Sequence, residues 1–167
     1  MSKEKTKTSA EEMLKLHEHT QTLTPEMAER ISQDDLWNGL LRFVHEPEKF
    51  NAQIENSTVK TGASDRPDTV FERVLDFGSR RVQDTVYLSP DALTIEFHVR
   101  ETKDYPSSCL RMVVSRSEEK LPCVTFSYFA VREPQVPSNL RPLIRQAWEQ
   151  KDKDILEQIV LDKLEAL

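Results

Sequence analysis

The sequence predicts an α+β fold in which a curved antiparallel sheet of six or seven strands packs under a long C-terminal helix, with a short helix pair near the N-terminus. Three patterns support it: an amphipathic helical stretch early in the chain, six β-rich runs in the middle, and a helical pattern at the end. The length of 167 residues suits one domain. We expect residues 1–12, which are charged and lack apolar anchors, to be a disordered tail and residues 13–167 to form that domain.

Composition excludes several classes of protein. No apolar run approaches the roughly 20 residues that a membrane helix needs, and the charged first twelve residues do not resemble a signal peptide. Two cysteines cannot build a disulfide framework or a four-thiolate zinc site, so a cytoplasmic location is the simplest expectation. The net charge of −6 is spread evenly without a basic stripe, which disfavours nucleic acid. Three glycines leave little scope for glycine-rich phosphate loops.

The first helix is predicted to begin at Ser32, a good N-cap with Asp35 three residues later. An amphipathic stripe follows at three-and-four spacing, made of Leu36, Trp37, Leu40, Leu41 and Val44. Pro47 ends this helix, and residues 46–50 can form a second short helix because proline is tolerated in a first turn.

The middle of the chain alternates β-rich runs with turn residues, which indicates an antiparallel meander. We place strands at about residues 54–61, 69–77, 80–88, 92–100, 108–116 and 122–132, with an additional strand at 16–23. The separators include residues 62–67, Gly78-Ser79, and residues 89–91.

The last thirty residues change to a helical period after Pro137, with Ser138 as a potential N-cap. One side of this helix carries Leu140, Ile144, Ala147, Trp148, Ile155 and Ile159. A helix of this length would extend about 45 Å and must lie across the sheet. A second apolar strip, of Leu156, Val160, Leu164 and Leu167, is a candidate surface for protein contacts or a homodimer.

Hairpin arithmetic predicts which strand residues face the helices. A two-residue turn at Gly78-Ser79 pairs Arg73 with Asp84 and Phe71 with Val86. Continuing through the next turn pairs Leu88 with Leu93, Val86 with Ile95 and Asp84 with Phe97. The shared inward face is then Phe71, Leu75, Phe77, Val82, Val86, Leu88, Leu93, Ile95 and Phe97, while Glu96, His98 and Arg100 point outward.

Arg73 and Asp84 are the one opposed charge pair on this apolar face. Arginine offers a fork that matches a carboxylate across neighbouring strands. Two interpretations remain open. The pair is a structural bridge, or it orients a polar group of a substrate, since buried charge is expensive and is often retained for function.

Other polar residues carry weaker signals. Tyr128 alternates with Val124 and Phe126, so its hydroxyl either points into the interior as a functional group or has a structural backbone partner. Lys151 and Asp152 border the stripe of the last helix and are interpreted as solvated edge residues. His17 and His19 alternate as in a strand and lack further ligands nearby. We interpret Cys109 and Cys123 as small hydrophobes and expect neither a metal site nor a cofactor.

Several stretches resemble the AtaL-like family of the START/Bet v 1-like superfamily. They are residues 35–40 (DLWNGL), 47–50 (PEKF), 73–78 (RVLDFG), 84–86 (DTV) and 147–152 (AWEQKD), and the resemblance covers about residues 32–160. The family pattern has Arg-Glu where this chain has Arg73-Val74 and a glutamate where it has Asp84. Arg73 therefore carries over, Asp84 carries over with a shorter side chain, and Val74 departs.

The resemblance implies the helix-grip (Bet v 1-like) fold, with a hydrophobic cavity between the sheet and the terminal helix. It also implies a hydrophobic small-molecule ligand, such as a natural-product intermediate, because superfamily relatives bind lipids, hormones or polyketides and some catalyse cyclisation, aromatisation or dehydration without a cofactor. We expect Arg73, Asp84 and Tyr128 to be the catalytic candidates. The expected ligand-binding residues are Phe71, Leu75, Val86, Ile95, Phe97, Met112, Phe126 and Trp148.

Three functions stay open for the chain as a monomer or homodimer. The first is a cofactor-independent cyclase, isomerase or dehydratase. The second is a carrier of a hydrophobic ligand, and the third is an interaction protein of the co-chaperone type. A continuous inward face favours a ligand site over a protein-binding surface.

Overall fold

The computed structural model describes residues 9–60, 68–103 and 105–166, which form a curved seven-stranded antiparallel sheet and three α-helices. The strands are β1 Leu14–Thr22, β2 Asn56–Lys60, β3 Val70–Asp76, β4 Arg81–Ser89, β5 Thr94–Val99, β6 Ser108–Arg116 and β7 Pro122–Ala130. Their spatial order is β1-β7-β6-β5-β4-β3-β2. The predicted meander is therefore confirmed for β2 to β7, and the additional strand β1 pairs with β7.

The helices are α1 Pro25–Ala28, α2 Gln33–His45 and α3 Arg141–Glu165, with a short 3₁₀ turn at Pro47–Lys49. The start of α2 agrees with the sequence prediction. Asp35 N donates to Ser32 Oγ (3.0 Å), and Ser32 N donates to Asp35 Oδ2 (2.8 Å), so each residue satisfies an amide of the other. The four-residue helix α1, capped by Thr24, was not predicted from the sequence.

Helices α2 and α3 cover the same face of the sheet and approach each other closely. Gly39 makes this possible, since a Cβ atom at that position would lie 2.3 Å from Ile159 Cγ2. The core between the helices and the sheet contains fully buried side chains of both layers, among them Leu36, Leu40, Val86, Ile95, Met112 and Phe126. The helices are thus held on the sheet by apolar packing.

The first predicted hairpin register is confirmed, and the second is wrong by two residues. Strand β3 pairs with β4 as predicted, with Arg73 opposite Asp84. Between β4 and β5, however, Val86 lies opposite Phe97 and Asp84 opposite Val99. The turn there is longer than assumed because it contains a 3₁₀ turn at Pro90–Ala92, followed by a left-handed residue, Leu93 (φ 48°). The shift is even, so Ile95 and Phe97 still face inward.

The terminal helix begins later than predicted, and one of its predicted contact faces is partly buried. Ser138 lies in a separate 3₁₀ turn and makes no capping hydrogen bond, and α3 begins with Pro142 in its first turn. Its 25 residues extend about 38 Å. The predicted contact strip is also wrong in part, because Leu156 and Val160 are buried in the core. Leu167 lies outside the described residues.

The N-terminal prediction also needs a correction. Ala10–Glu12 form a 3₁₀ turn rather than a tail, and Ala10 is buried against Cys109 and Phe129 on the outer face of the sheet. Residues 1–8 of the predicted tail, and the predicted turn at residues 62–67, lie outside the described residues. Among the helices of the described part of the chain, none has the length and apolarity to span a bilayer.

Candidate functional site

The Arg73–Asp84 pair is buried and fully engaged within the protein. Arg73 Nε donates to Asp84 Oδ1 (2.9 Å) and Nη2 donates to Oδ2 (2.6 Å), which gives a bidentate pair. The remaining nitrogen, Nη1, donates to the backbone carbonyl of Val44 (2.7 Å) in the last turn of α2. Carbonyls in a last turn lack intrahelical donors. The pair therefore ties the sheet to α2, and its geometry favours the structural interpretation.

Tyr128 faces inward from β7 but does not join this pair. Its strand is separated from β3 by β6, β5 and β4, about 19 Å at the usual strand spacing. The Tyr128 hydroxyl instead donates a short hydrogen bond to Asp152 on α3. Its ring stacks on Trp148, with the ring centres 4.4 Å apart. The structure thus separates the three predicted catalytic residues into two places.

Asp152 is the buried centre of the second place. Its side chain is 0% exposed, which contradicts the interpretation of Asp152 as a solvated edge residue. Oδ2 receives hydrogen bonds from Tyr128 and from His19 Nε2 (2.7 Å), whereas Oδ1 makes no hydrogen bond among the described residues and lies 4.0 Å from Lys151 Nζ. Spacing carries a signal for this burial, because Asp152 lies at i+4 from Trp148 and at i−3 from the buried Ile155. Because aspartate is charged, the sequence prediction placed Asp152 in solvent in spite of this spacing.

His19 and His17 project from β1 onto the same face. A bulge between Lys15 and His17 sets His17 opposite Tyr128 and His19 opposite Phe126. Gln21 Nε2 donates to His19 Nδ1 (3.2 Å), which leaves Nε2 as the donor to Asp152 in this tautomer. The alternation of the two histidines was therefore predicted correctly, but their link to α3 was missed because it spans 133 positions of sequence.

His17 adds a second buried polar atom without a hydrogen bond. Its ring stacks on His19, with the centres 5.6 Å apart, and its Nε2 lies 3.8 Å from Glu149 Oε1. Within the described residues, His17 Nε2 makes no hydrogen bond although it is buried. We name His17, His19, Tyr128, Glu149 and Asp152 the Asp152 cluster. A buried polar atom without a hydrogen bond is costly, so the two such atoms of the cluster mark a place suited to a polar ligand group.

The cluster leads from the surface into the interior. The Glu149 side chain is 41% exposed, that of His17 is 19% exposed, and Asp152 is completely buried. Burial raises the pKa of Asp152 above the ordinary aspartate range, against the opposing effects of Lys151, Tyr128 and His19. Burial, followed by the nearby Asp152 charge, also raises the pKa of Tyr128, so its hydroxyl stays a proton donor. A carboxyl group that exchanges protons nearer neutrality thus lies beside a hydroxyl and an imidazole.

The predicted ligand-binding residues are mostly packed core. Val86, Ile95, Met112 and Phe126 have no exposed surface, and Phe71, Leu75 and Phe97 have little. A residue lining a cavity large enough for a water molecule would retain accessible surface, so these side chains are packed against other protein atoms. Trp148 is half-buried and belongs to the edge of the Asp152 cluster.

The family follows from comparison of the sequence with protein-family models. The model described as acetylaranotin biosynthesis cluster protein L (AtaL) matches residues 17–163. The chain belongs to the AtaL family. The matched region includes every residue of the Asp152 cluster and the Arg73–Asp84 pair. Among curated proteins, no sequence matches this AtaL-family chain significantly.

Solved structures share the fold of this AtaL-family protein at low sequence identity. The Zhui aromatase/cyclase from Streptomyces sp. R1128 has 14% identity and a TM-score of 0.62, over 88% of this chain and 92% of that one. The di-domain ARO/CYC StfQ from the steffimycin biosynthetic pathway has 9% identity and a TM-score of 0.67, over 94% of this chain and 53% of that one, so this chain spans about half of it. Ara h 8.0201 has 8% identity and a TM-score of 0.58, over 86% of this chain and 96% of that one.

These likenesses identify the architecture as the helix-grip, or Bet v 1-like, α+β fold predicted from the sequence. The description of the AtaL family as a biosynthesis cluster protein supports a role in natural-product biosynthesis. Which reaction takes place is a separate question, which depends on the site.

Proposed function

We propose that this AtaL-family protein is a cofactor-independent enzyme that performs proton transfer on a hydrophobic, carbonyl-containing biosynthetic intermediate. The reaction is a cyclisation, isomerisation or dehydration. The observation that carries the proposal is the buried Asp152 carboxyl group, which has two hydrogen-bond donors on one oxygen and no hydrogen bond from a described residue on the other. A group of raised pKa at the end of a polar path from solvent is typical of a general acid–base residue.

In the proposed reaction, Asp152 removes a proton from a carbon next to a carbonyl group, and the electron pair moves onto the carbonyl oxygen. Once Asp152 is protonated, the Tyr128 hydroxyl can turn to donate a hydrogen bond to that oxygen. For cyclisation, the carbanion-like carbon attacks a second carbonyl of the same molecule, and Asp152 returns the proton to the new alkoxide. For dehydration, the returned proton goes to a hydroxyl group, which leaves as water.

Arg73 and Asp84 have a different role in this proposal. Every side-chain nitrogen of Arg73 and both oxygens of Asp84 already have partners in the protein. We assign the pair to holding α2 on the sheet, so it shapes the apolar part of the site without touching the reacting atoms. Tyr128 keeps its predicted catalytic role, now with Asp152 and His19. The apolar residues predicted to contact ligand remain candidates, and a ligand reaches them only if α3 moves away from the sheet.

Incubation with candidate pathway intermediates, followed by mass spectrometry and chiral chromatography, tests the proposal. We expect an isomeric product or one that has lost water, and we expect Asp152→Asn and Tyr128→Phe to slow its formation by roughly 100-fold or more. Asp154→Asn is the matched control, because Asp154 lies on the same helix but is exposed. Equal rates in the Asp152 and Asp154 variants contradict the proposal.

A carrier function is the alternative that the same experiment separates. If the protein retains an intermediate unchanged and the Asp152 variant weakens that retention, the cluster anchors a ligand without transforming it. A co-chaperone function loses part of its support, because Leu156 and Val160 of the predicted contact strip are buried.

A further inference from the structure

A second polar group lies on the outer face of the sheet, away from the Asp152 cluster. Glu96 and His98 point outward from β5, as the sequence predicted, and Cys109 lies opposite His98 on β6. His98 Nε2 is 2.8 Å from Glu96 Oε1 and 3.5 Å from Cys109 Sγ. One ligand atom from each residue lies within 4.8 Å of the others. Three different ligand types therefore converge on one point.

We propose that Glu96, His98 and Cys109 form a binding site for a zinc ion. Thiolate, imidazole and carboxylate are the ligand types that Zn²⁺ uses in proteins, and a thiolate disfavours Mg²⁺ and Ca²⁺. Three protein ligands leave one position of a tetrahedral site for water. From the sequence alone, Cys109 was interpreted as a small hydrophobe and no metal site was expected, because pairing across β5 and β6 was needed to bring the residues together.

The distances fit the size of the ion. With Zn–N near 2.05 Å and Zn–S near 2.3 Å, a tetrahedral site needs a nitrogen-to-sulfur distance of about 3.5 Å. The distance between His98 Nε2 and Cys109 Sγ already has this value. Glu96 Oε1 needs to move away from His98 Nε2 by about 0.5 Å to reach the oxygen-to-nitrogen distance of a tetrahedral site. That is a small side-chain adjustment on a rigid pair of strands.

The surrounding charges also suit a divalent cation. Arg111 Nε donates to the other oxygen of Glu96 (2.9 Å), which orients Oε1 toward His98, and Arg111 also pairs with Glu11 (2.5 Å). Such hydrogen bonds to a ligating carboxylate fix its position. With Cys109 as a thiolate, two carboxylates and one guanidinium leave two net negative charges, which Zn²⁺ neutralises. Cys109 is buried, while Glu96 and His98 reach partly to solvent, where the water ligand would lie.

Cobalt substitution of the full chain tests the site. Titration with Co²⁺ should show one saturable site per chain, with a thiolate-to-cobalt charge-transfer absorption in the near ultraviolet. Added Zn²⁺ should displace the bound Co²⁺ and remove this absorption. We expect Cys109→Ser to abolish this absorption. His98→Gln should weaken binding by at least about 10–100-fold, which is the cost of losing a group that only hydrogen-bonds a metal ligand. Cys123→Ser is the matched control, because Cys123 is also buried but lies beside Ser115 rather than a histidine.

Two further measurements separate a binding defect from a folding defect and from binding elsewhere. Far-ultraviolet circular dichroism should show that metal-free Cys109→Ser is folded, and Zn²⁺ should raise the melting temperature of the wild type but not of this variant. His17→Gln should leave the cobalt spectrum unchanged. The proposal is overturned if the wild type shows no saturable binding, or if the absorption persists in Cys109→Ser. Loss of binding through His17→Gln or Cys123→Ser alone would also overturn it.

Discussion

Replacing Arg73 by methionine removes a guanidinium that makes three hydrogen bonds inside the protein. The variant leaves Asp84 as an unpaired buried carboxylate and leaves the Val44 carbonyl without its donor. Removing one partner of a buried ion pair costs about 3–5 kcal/mol of the free energy of unfolding. For a chain of this size, 1 kcal/mol corresponds to roughly 2–4 °C, so the melting temperature should fall by about 6–20 °C.

The double variant Arg73→Met/Asp84→Leu should be more stable than either single variant. Asp84→Leu alone leaves the Arg73 charge buried and should also cost about 3–5 kcal/mol, so additive effects would reach about 6–10 kcal/mol. Replacing a whole buried pair by apolar residues of similar volume is often neutral. What remains is the unsatisfied Val44 carbonyl, about 1–3 kcal/mol. The double-mutant cycle should therefore show a large coupling energy.

Urea unfolding followed by tryptophan fluorescence and circular dichroism measures these free energies. Arg100→Met is the control, because Arg100 is an exposed arginine whose pair with Glu72 should contribute less than about 1 kcal/mol. Additive single-variant effects, or singles that cost less than 1 kcal/mol, would refute the reasoning. If the double variant folds normally yet loses product formation or ligand retention, the functional interpretation of Arg73 and Asp84 is correct instead.

Three further predictions concern the helices and the cluster. Gly39→Ala should destabilise the fold by about 1–3 kcal/mol despite the better helix propensity of alanine, because the new methyl group overlaps Ile159. Adding Ile159→Ala should relieve part of this cost in the double variant. Thermal unfolding measures the stability of the single and the double variant. Asp152 has a higher pKa in the native state than when unfolded, so its own contribution to stability should fall as pH rises from the ordinary aspartate range through the native value. In parallel pH series of urea titrations, the stability of the wild type relative to Asp152→Asn should therefore fall over this range, because carboxyl groups with a lowered native pKa act on both proteins alike. Ser32→Ala should cost about 1 kcal/mol through loss of the helix cap, and an unchanged urea midpoint would contradict that role.

Local geometry explains why one hairpin could be predicted to the residue and the next could not. The turn at Gly78 contains a glycine with a positive φ of 84°, which is typical of a tight connection and fixes the pairing of Arg73 with Asp84. The following turn has no glycine, and Leu93 takes the left-handed conformation in its place. A leucine does not signal that geometry, so the loop was taken as two residues too short.

The candidate site was harder to predict than the sheet because its residues come from distant parts of the chain. Tyr128 was found through strand alternation, since its neighbours Val124 and Phe126 are apolar. His19 and Asp152 become neighbours only when α3 lies across β1, and no local pattern states where a helix crosses a sheet. The zinc ligands likewise depend on cross-strand pairing: β6 had to be placed in register before Cys109 met His98.

The two buried aspartates differ in their partners, and this difference assigns their roles. Asp84 has both oxygens bonded to Arg73, a permanent cation, so protonating Asp84 would break a bidentate pair. Asp152 has a hydroxyl and an imidazole on one oxygen, while the other makes no described hydrogen bond and lies 4.0 Å from the exposed Lys151 Nζ, so gaining a proton there breaks no bidentate pair. A carboxyl group can exchange protons during a reaction only if both of its forms are tolerated in the fold. On that criterion Asp152 is suited to acid–base chemistry, and Asp84 is suited to holding Arg73 against α2.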